Sequence, residues 1–287
     1  TMCASVCVPT KITALQTSRV NKIINDFELT GNEMNLREFL HRNRKIKDTK
    51  ALDKGLDVLE EELSKLKAGE SYNNVMKVID NELDKFLIAK ADASGFIANK
   101  TYEGWVLTSK EPPIKTIKEY QVNEKGYKAL TIDNAGIESF FQGHHGVQSD
   151  WAEKRLFDEL KQNNKYKIKG KSVFDDAELY DHDLAPALNL RDHYAGTPHQ
   201  RITSRQMSRK SEIGLRTYAD EKTLAELDLQ IAGVPENIIK KTLDENDVYF
   251  QKIRNNIKNK LMKNKDQLNL TESQIDIDLN GIFGMSF

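Results

Sequence analysis

The sequence is poor in cysteine: Cys3 and Cys7, at its very start, are the only two. That excludes a disulfide framework and a cysteine-rich zinc site, so folding calls for no oxidising compartment. Long apolar runs are also missing. No window approaches the roughly 20 apolar residues needed to cross a bilayer, and no membrane insertion is expected. Residues 2–9 lack the basic start and continuous apolar centre of a secretory signal. Thr1 ahead of Met2 suggests a trimmed piece of a longer protein, which leaves export by another route open. Nor is there an excess of one charge. The 43 Lys and Arg against 44 Asp and Glu give a net charge of -1, so a polyanion site has to be a local basic patch. Internal repeats and low-complexity tracts are absent as well.

What the chain does have is length and surface charge. At 287 residues it exceeds most single domains, and two or three folding units are expected. With 38% hydrophobic and 30% charged residues, helical surfaces rich in Lys and Glu are expected rather than one large buried sheet. Residues 1–124 read as a helical region and connector. Leu52, Leu56, Leu59, Leu63 and Leu66 recur at helical spacing, as do apolar residues in 11–30 and 73–90. Between 92 and 128 that period is lost, and Gly104-Trp105-Val106-Leu107-Thr108 suits a strand. Residues 125–216 form a histidine-rich centre. There Trp151 to Leu160 reads as a helix capped by Ser149 or Asp150, and Tyr166 to Gly170 as a short strand. Residues 217–287 are helical again, with a break at Gly233-Val234-Pro235 and a helix either side of 244–247.

Five of the six histidines fall between 144 and 199, beside Asp150, Asp181, Asp183, Asn189 and Asp192. An imidazole, whose free pKa is about 6.5, can bind a metal or move a proton at neutral pH. The same residues could equally be polar surface or satisfied core. His144 and His145 follow Gly143, and on an extended chain such neighbours point to opposite faces. Asn189 and His193 stand four apart, so a helix starting there would put them on one side. Gly196 and Pro198 then break the chain, and His199 enters at the next turn or the start of a helix over 200–210. His182 between Asp181 and Asp183 could add a ligand, but reads more simply as polar loop. Trp151, Leu156 and Phe157 read as packing groups.

The combination of Gly143-His144-His145, then Asn189-Leu190, then His193-x-x-Gly196-x-Pro198-His199 resembles the GHH group of polymorphic bacterial toxin nucleases, of the HNH and endonuclease VII class. The resemblance covers about 135–216. It implies an α+β fold, a mostly helical chain around a central ββα-metal core. It also implies His145 as general base, His144 as metal ligand or orienting group, and Asn189 as a group that fixes the base's strand or binds the ion. His193 or His199 would be the late metal ligand. One divalent cation is implied, Mg2+ first, with Zn2+, Mn2+ and Ni2+ as alternatives. This chain lacks the acidic residue that many HNH domains carry before the base, and their cysteine pairs.

Lys165, Lys167 and Lys169, with Lys161 and Lys171, supply positive charge between the two clusters, and Arg201, Arg205 and Arg209 would form one stripe on a helix. Either set is also what a solvated face looks like. Backbone contacts of that kind confer little sequence preference. The expected activity is therefore metal-dependent hydrolysis of DNA by an antibacterial toxin effector, with RNA not distinguished from DNA. The resemblance further implies a cognate immunity protein, a secretion-apparatus module in the full-length protein, and delivery into the target cell cytoplasm without a signal peptide. The alternative is a non-catalytic helical adaptor with a histidine-bound structural zinc. A zinc peptidase is disfavoured because no His-Glu-x-x-His run is present.

Overall fold

The computed structural model describes residues 91–284 apart from 124, 138, 139, 178 and 192–197, together with scattered helical positions between 18 and 89. The helices expected over 11–30, 52–66 and 73–90 lie almost wholly outside the described residues, as do Cys3, Cys7, His41 and His193. Contacts divide the chain into two compact units. The first comprises residues 1–101, 105–116 and 192–200, the second 102–104, 117–191 and 201–287.

Strands β1 (Phe96–Thr101), β2 (Gly104–Ser109) and β3 (Thr116–Lys118) make a three-stranded sheet in that order. The strand expected from Gly104 is therefore present. Its alternation buries Trp105 and Leu107, as a half-buried strand should.

The second unit is built on another small sheet, ordered β4-β8-β5, from β4 (Val122–Asn123), β5 (Phe141–His145) and β8 (Ala187–Arg191). β5 and β8 run antiparallel, with Gly143 opposite Asn189, His144 opposite Leu188 and His145 opposite Ala187. The expectation that Asn189 opens a helix is corrected here. Asn189 is mid-strand, because 187–191 alternates Leu188 and Leu190, which enter an apolar core, with Asn189, which faces the other way. It therefore shares no helix face with His193.

Helix α1 (Tyr127–Asp133) packs beside β5 and β8, with Leu130 fully buried. Two of its orphan N–H groups are satisfied by the loop before β8: Tyr127 donates to the Ala185 carbonyl and Lys128 to that of Asp183, both at 3.0 Å. Gly126 makes this possible. It has a φ of 91°, and a Cβ there would sit 2.6 Å from the Asp183 carbonyl oxygen.

After β5 the chain enters α2 (Ser149–Ala152), which continues in wider π winding over Glu153–Lys161. The N-cap is Gln148, without a side-chain cap bond, so Ser149 and Asp150 lie inside the first turn and do not cap it as expected. A two-stranded hairpin follows, β6 (Lys167–Ile168) with β7 (Lys171–Ser172), turning at Lys169 and Gly170. β8 leads on to α3 (Pro198–Ser208), which gives the order ββα from β5, β8 and α3. Ile202 of α3 packs with Leu188 and Leu190, and with Leu229 and Leu243 from later helices. Each such side chain, fully buried, contributes about 1.5–3 kcal/mol. The fold is α+β, mostly helical with small sheets.

The C-terminal helices complete the unit. α4 (Tyr218–Ile231) begins in a capping box, Thr217 with Asp220, and α6 (Glu272–Phe283) in another, Thr271 with Gln274. Between them α5 (Glu236–Asn264) is continuous where two segments are expected, since Asp244-Glu245-Asn246-Asp247 is polar but contains no glycine or proline. Trp151, Phe250, Ile253, Ile257, Leu279 and Phe283 pack into one core. Trp151 is a packing group, as expected, and its indole N–H reaches the Arg216 carbonyl at 2.9 Å.

Candidate active site

The strand period separates the two adjacent histidines. His144 shares a face with Leu188, its cross-strand partner, and Gln206 of α3 brings its amide nitrogen to 3.5 Å from His144 Nε2. His145 points to the opposite face, toward α1. There Tyr127 stacks on its ring, with centroids 4.6 Å apart and planes 27° apart, and His182 meets it edge-on at 4.4 Å. Tyr127 and His182 also touch, at 4.8 Å.

His145 is 8% exposed, with both ring nitrogens shielded from solvent and the Pro186 backbone as the hydrogen-bonding group set against the ring. Burial drives its pKa down from 6.5 to about 3, reinforced by the neighbouring charge of His182. The Pro186 backbone and Asp183 oppose that shift without reversing it. The ring is consequently neutral at physiological pH, and while it stays enclosed the same burial makes it a weak proton acceptor.

Asn189 is fully buried and engaged on both ends of its amide. Its Oδ1 accepts from Asn134 at 2.7 Å, while its Nδ2 donates to the Lys118 carbonyl and to Asn134 Oδ1, each at 3.2 Å. That geometry ties β8 to Asn134 and to the Lys118 backbone. His199 lies half-buried in the first turn of α3, in the unit that does not contain the pair.

Behind the pair, Gly146 packs against α5. A Cβ there would stand 2.8 Å from Thr242 Cγ2 and closer still to the Asn246 amide. Gly143 has a similar constraint on the opposite side, where a Cβ would meet the Tyr127 ring at 3.2 Å.

Two families of side chain thus meet at the end of β5, one on each face of the sheet. Residues 138–251 match the family of HNH/Endo VII superfamily toxins with an SHH signature. No curated protein and no solved structure matches the chain. The histidine pair lies inside the matched segment, and so do β8 and α3. The family found is the SHH one, whereas the resemblance drawn from the residues is to the GHH group; Gly143 is what this chain has before its pair. A serine at 143 would press the Tyr127 ring out by a few tenths of an ångström.

The matched segment holds fewer open cations than its composition suggests. Arg205 and Arg209 both pair with Asp228, whose side chain is wholly buried, so the arginine stripe is spent at least in part on the fold. The side chain of Arg201 lies outside the described residues. Lys165 is held by Asp278, which Tyr166 also bonds. Lys167 is half-buried and Lys169 exposed on the β6–β7 turn. Among the described residues no group of three or more His, Cys, Asp or Glu could hold a metal ion. With His145 and Asn189 turned to the α1 face, the described residues do not complete an ion site. Nothing in the sequence marks Tyr127, and His182 stands out there only as a possible extra ligand in a polar loop.

Proposed function

We propose that the SHH-toxin segment is an endonuclease that hydrolyses DNA phosphodiester bonds with little sequence preference, and that the chain acts as an antibacterial toxin effector. The observation that carries this is the position of the histidine pair, at the end of β5 in a β5-β8-α3 unit, inside a segment similar to that toxin family. His145 is the general base in this reading. Its neutral ring takes the proton of the attacking water, whose oxygen bonds to phosphorus as the 3' oxygen leaves.

The resemblance implies a divalent cation, Mg2+ first, with His144 as its ligand from β5. Asn189 is left out as a ligand because Asn134 occupies its amide oxygen. Lys167 and Lys169 are the cations from the β6–β7 hairpin assigned to the DNA backbone. Among the described residues no helix is long and apolar enough to cross a membrane. Delivery into the target cytoplasm by a route without a signal peptide, through a secretion module elsewhere in the full-length protein, and a cognate immunity protein complete the proposal.

The test is plasmid cleavage. Supercoiled DNA should be nicked by the purified chain with Mg2+ or a similar ion, spared in EDTA, and spared by His145→Ala. Intact plasmid with every divalent ion, in a preparation free of bound inhibitor, overturns the reading.

A further inference from the structure

Resting on the nuclease reading, we propose that Tyr127 and His182 are positioning residues for His145, the fixed and the movable wall of the slot in which its ring works. As it stands, the His145 ring has no nitrogen open to solvent, and the Pro186 backbone is the one hydrogen-bonding group set against it. Two rings bracket its plane, one stacked and one edge-on.

Tyr127 is the fixed wall. Its backbone is the first residue of α1, bonded to the Ala185 carbonyl, and its ring lies against the position where Gly143 lacks a side chain. Any larger residue at 143 would have to move that ring. Gly143 therefore provides the space that lets Tyr127 stack on the second residue along the same face of the strand.

His182 is the movable wall. Its side chain is 44% exposed, and its Nδ1 lies 3.8 Å from Asp183 Oδ1, beyond hydrogen-bond length. The backbone beneath it is tied down: Asp181 Oδ1 accepts from the Asp183 and Leu184 amides, and the Tyr249 hydroxyl bonds both polar groups of the Asp181 backbone. The side chain can thus rotate, on the fast timescale of exposed rotamers, without disturbing the loop. Rotation outward uncovers His145 and admits the water and phosphate, while Tyr127 keeps the ring plane. Such orientation acts on the chemical step and leaves binding alone.

Two readouts test this. The first is acylation of His145 by diethyl pyrocarbonate, located by peptide mass mapping in the metal-free protein. His145 should react more slowly than His182 in the wild type and several-fold faster in His182→Ala, with no acceleration in Tyr127→Phe. The second is steady-state cleavage of DNA. Tyr127→Ala should lower kcat by about tenfold to a hundredfold with KM unchanged, and Tyr127→Phe should restore it. A Tyr127→Ala protein that is folded and cleaves at the wild-type rate, or a His145 that is no more reactive in His182→Ala, overturns the positioning roles while leaving the nuclease reading intact. Intact plasmid with active-site labelling as expected overturns the nuclease reading, and the positioning roles with it.

Discussion

Protonation of His145 should appear as a pH-dependent loss of stability that one substitution removes. The folded ring titrates near 3 because it is buried, whereas the unfolded chain titrates near the free value of about 6.5. Above that value the ring is neutral in both states and contributes no pH dependence. Below it the unfolded state takes up a proton that the folded state refuses, so stability falls as pH falls, down to the folded pKa. At pH 5 the unfolded ring lies about 1.5 units below its pKa, and at about 1.36 kcal/mol per unit the cost is about 2 kcal/mol. Any folded value below about 4 gives nearly the same drop. His145→Phe keeps a ring between Tyr127 and His182 and cannot titrate. Urea unfolding in EDTA, followed by tryptophan fluorescence at pH 7.5 and pH 5, measures the loss in each protein, and titrations common to both cancel in the difference. The wild type should lose about 2 kcal/mol more than the variant over that interval. Equal losses would mean that His145 reaches water in the folded state, and the slot described for it would be wrong.

The remaining predictions concern the supports of the site. Gly146→Ala should destabilise by about 1–3 kcal/mol through overpacking against Thr242 and Asn246, and Asn246→Ala should relieve part of that loss in a double-mutant cycle; additive losses refute the contact. Asn189→Ala should cost about 2–4 kcal/mol, since it orphans the buried Asn134 amide and the Lys118 carbonyl, and a urea-measured loss below about 1 kcal/mol would contradict it. Asp228→Ala should cost about 3 kcal/mol by leaving Arg209, and in part Arg205, without the buried carboxylate. A purely DNA-binding arginine stripe predicts unchanged thermal stability in that variant.

Much of the fold could be read locally. The strand from Gly104 is legible in its alternation, and the break at Gly233-Val234-Pro235 stops α4 where glycine and proline require it. Asn189 was misread because the i, i+4 relation to His193 is a local signal, while its true state depends on pairing with β5, far away along the chain. Periodicity is silent about such partners. The arginine stripe fails for the same reason. Arg205 lies in α3 and Arg209 just past its end, and the carboxylate that engages both, Asp228, comes from α4. Tyr127 and His182 reach His145 from two other elements, so only tertiary structure brings the three rings together.

The division of labour between His144 and His145 depends on strand register. They are neighbours in sequence, yet one faces Leu188 and Gln206 and the other Tyr127 and His182. A slip of one residue would exchange them, because side chains alternate with period two. Three features oppose that slip. Gly143 sits where a side chain would have to press the Tyr127 ring aside, and Gly146 where Thr242 and Asn246 leave no space for one. Asn189, across from Gly143, is bonded on one side to Asn134 and on the other to Lys118, and a shift would break both links. Asn189 therefore anchors β8 from outside the histidine pair, through Asn134 and the Lys118 carbonyl, and the pairing of β8 with β5 in turn holds His144 and His145 on their separate faces.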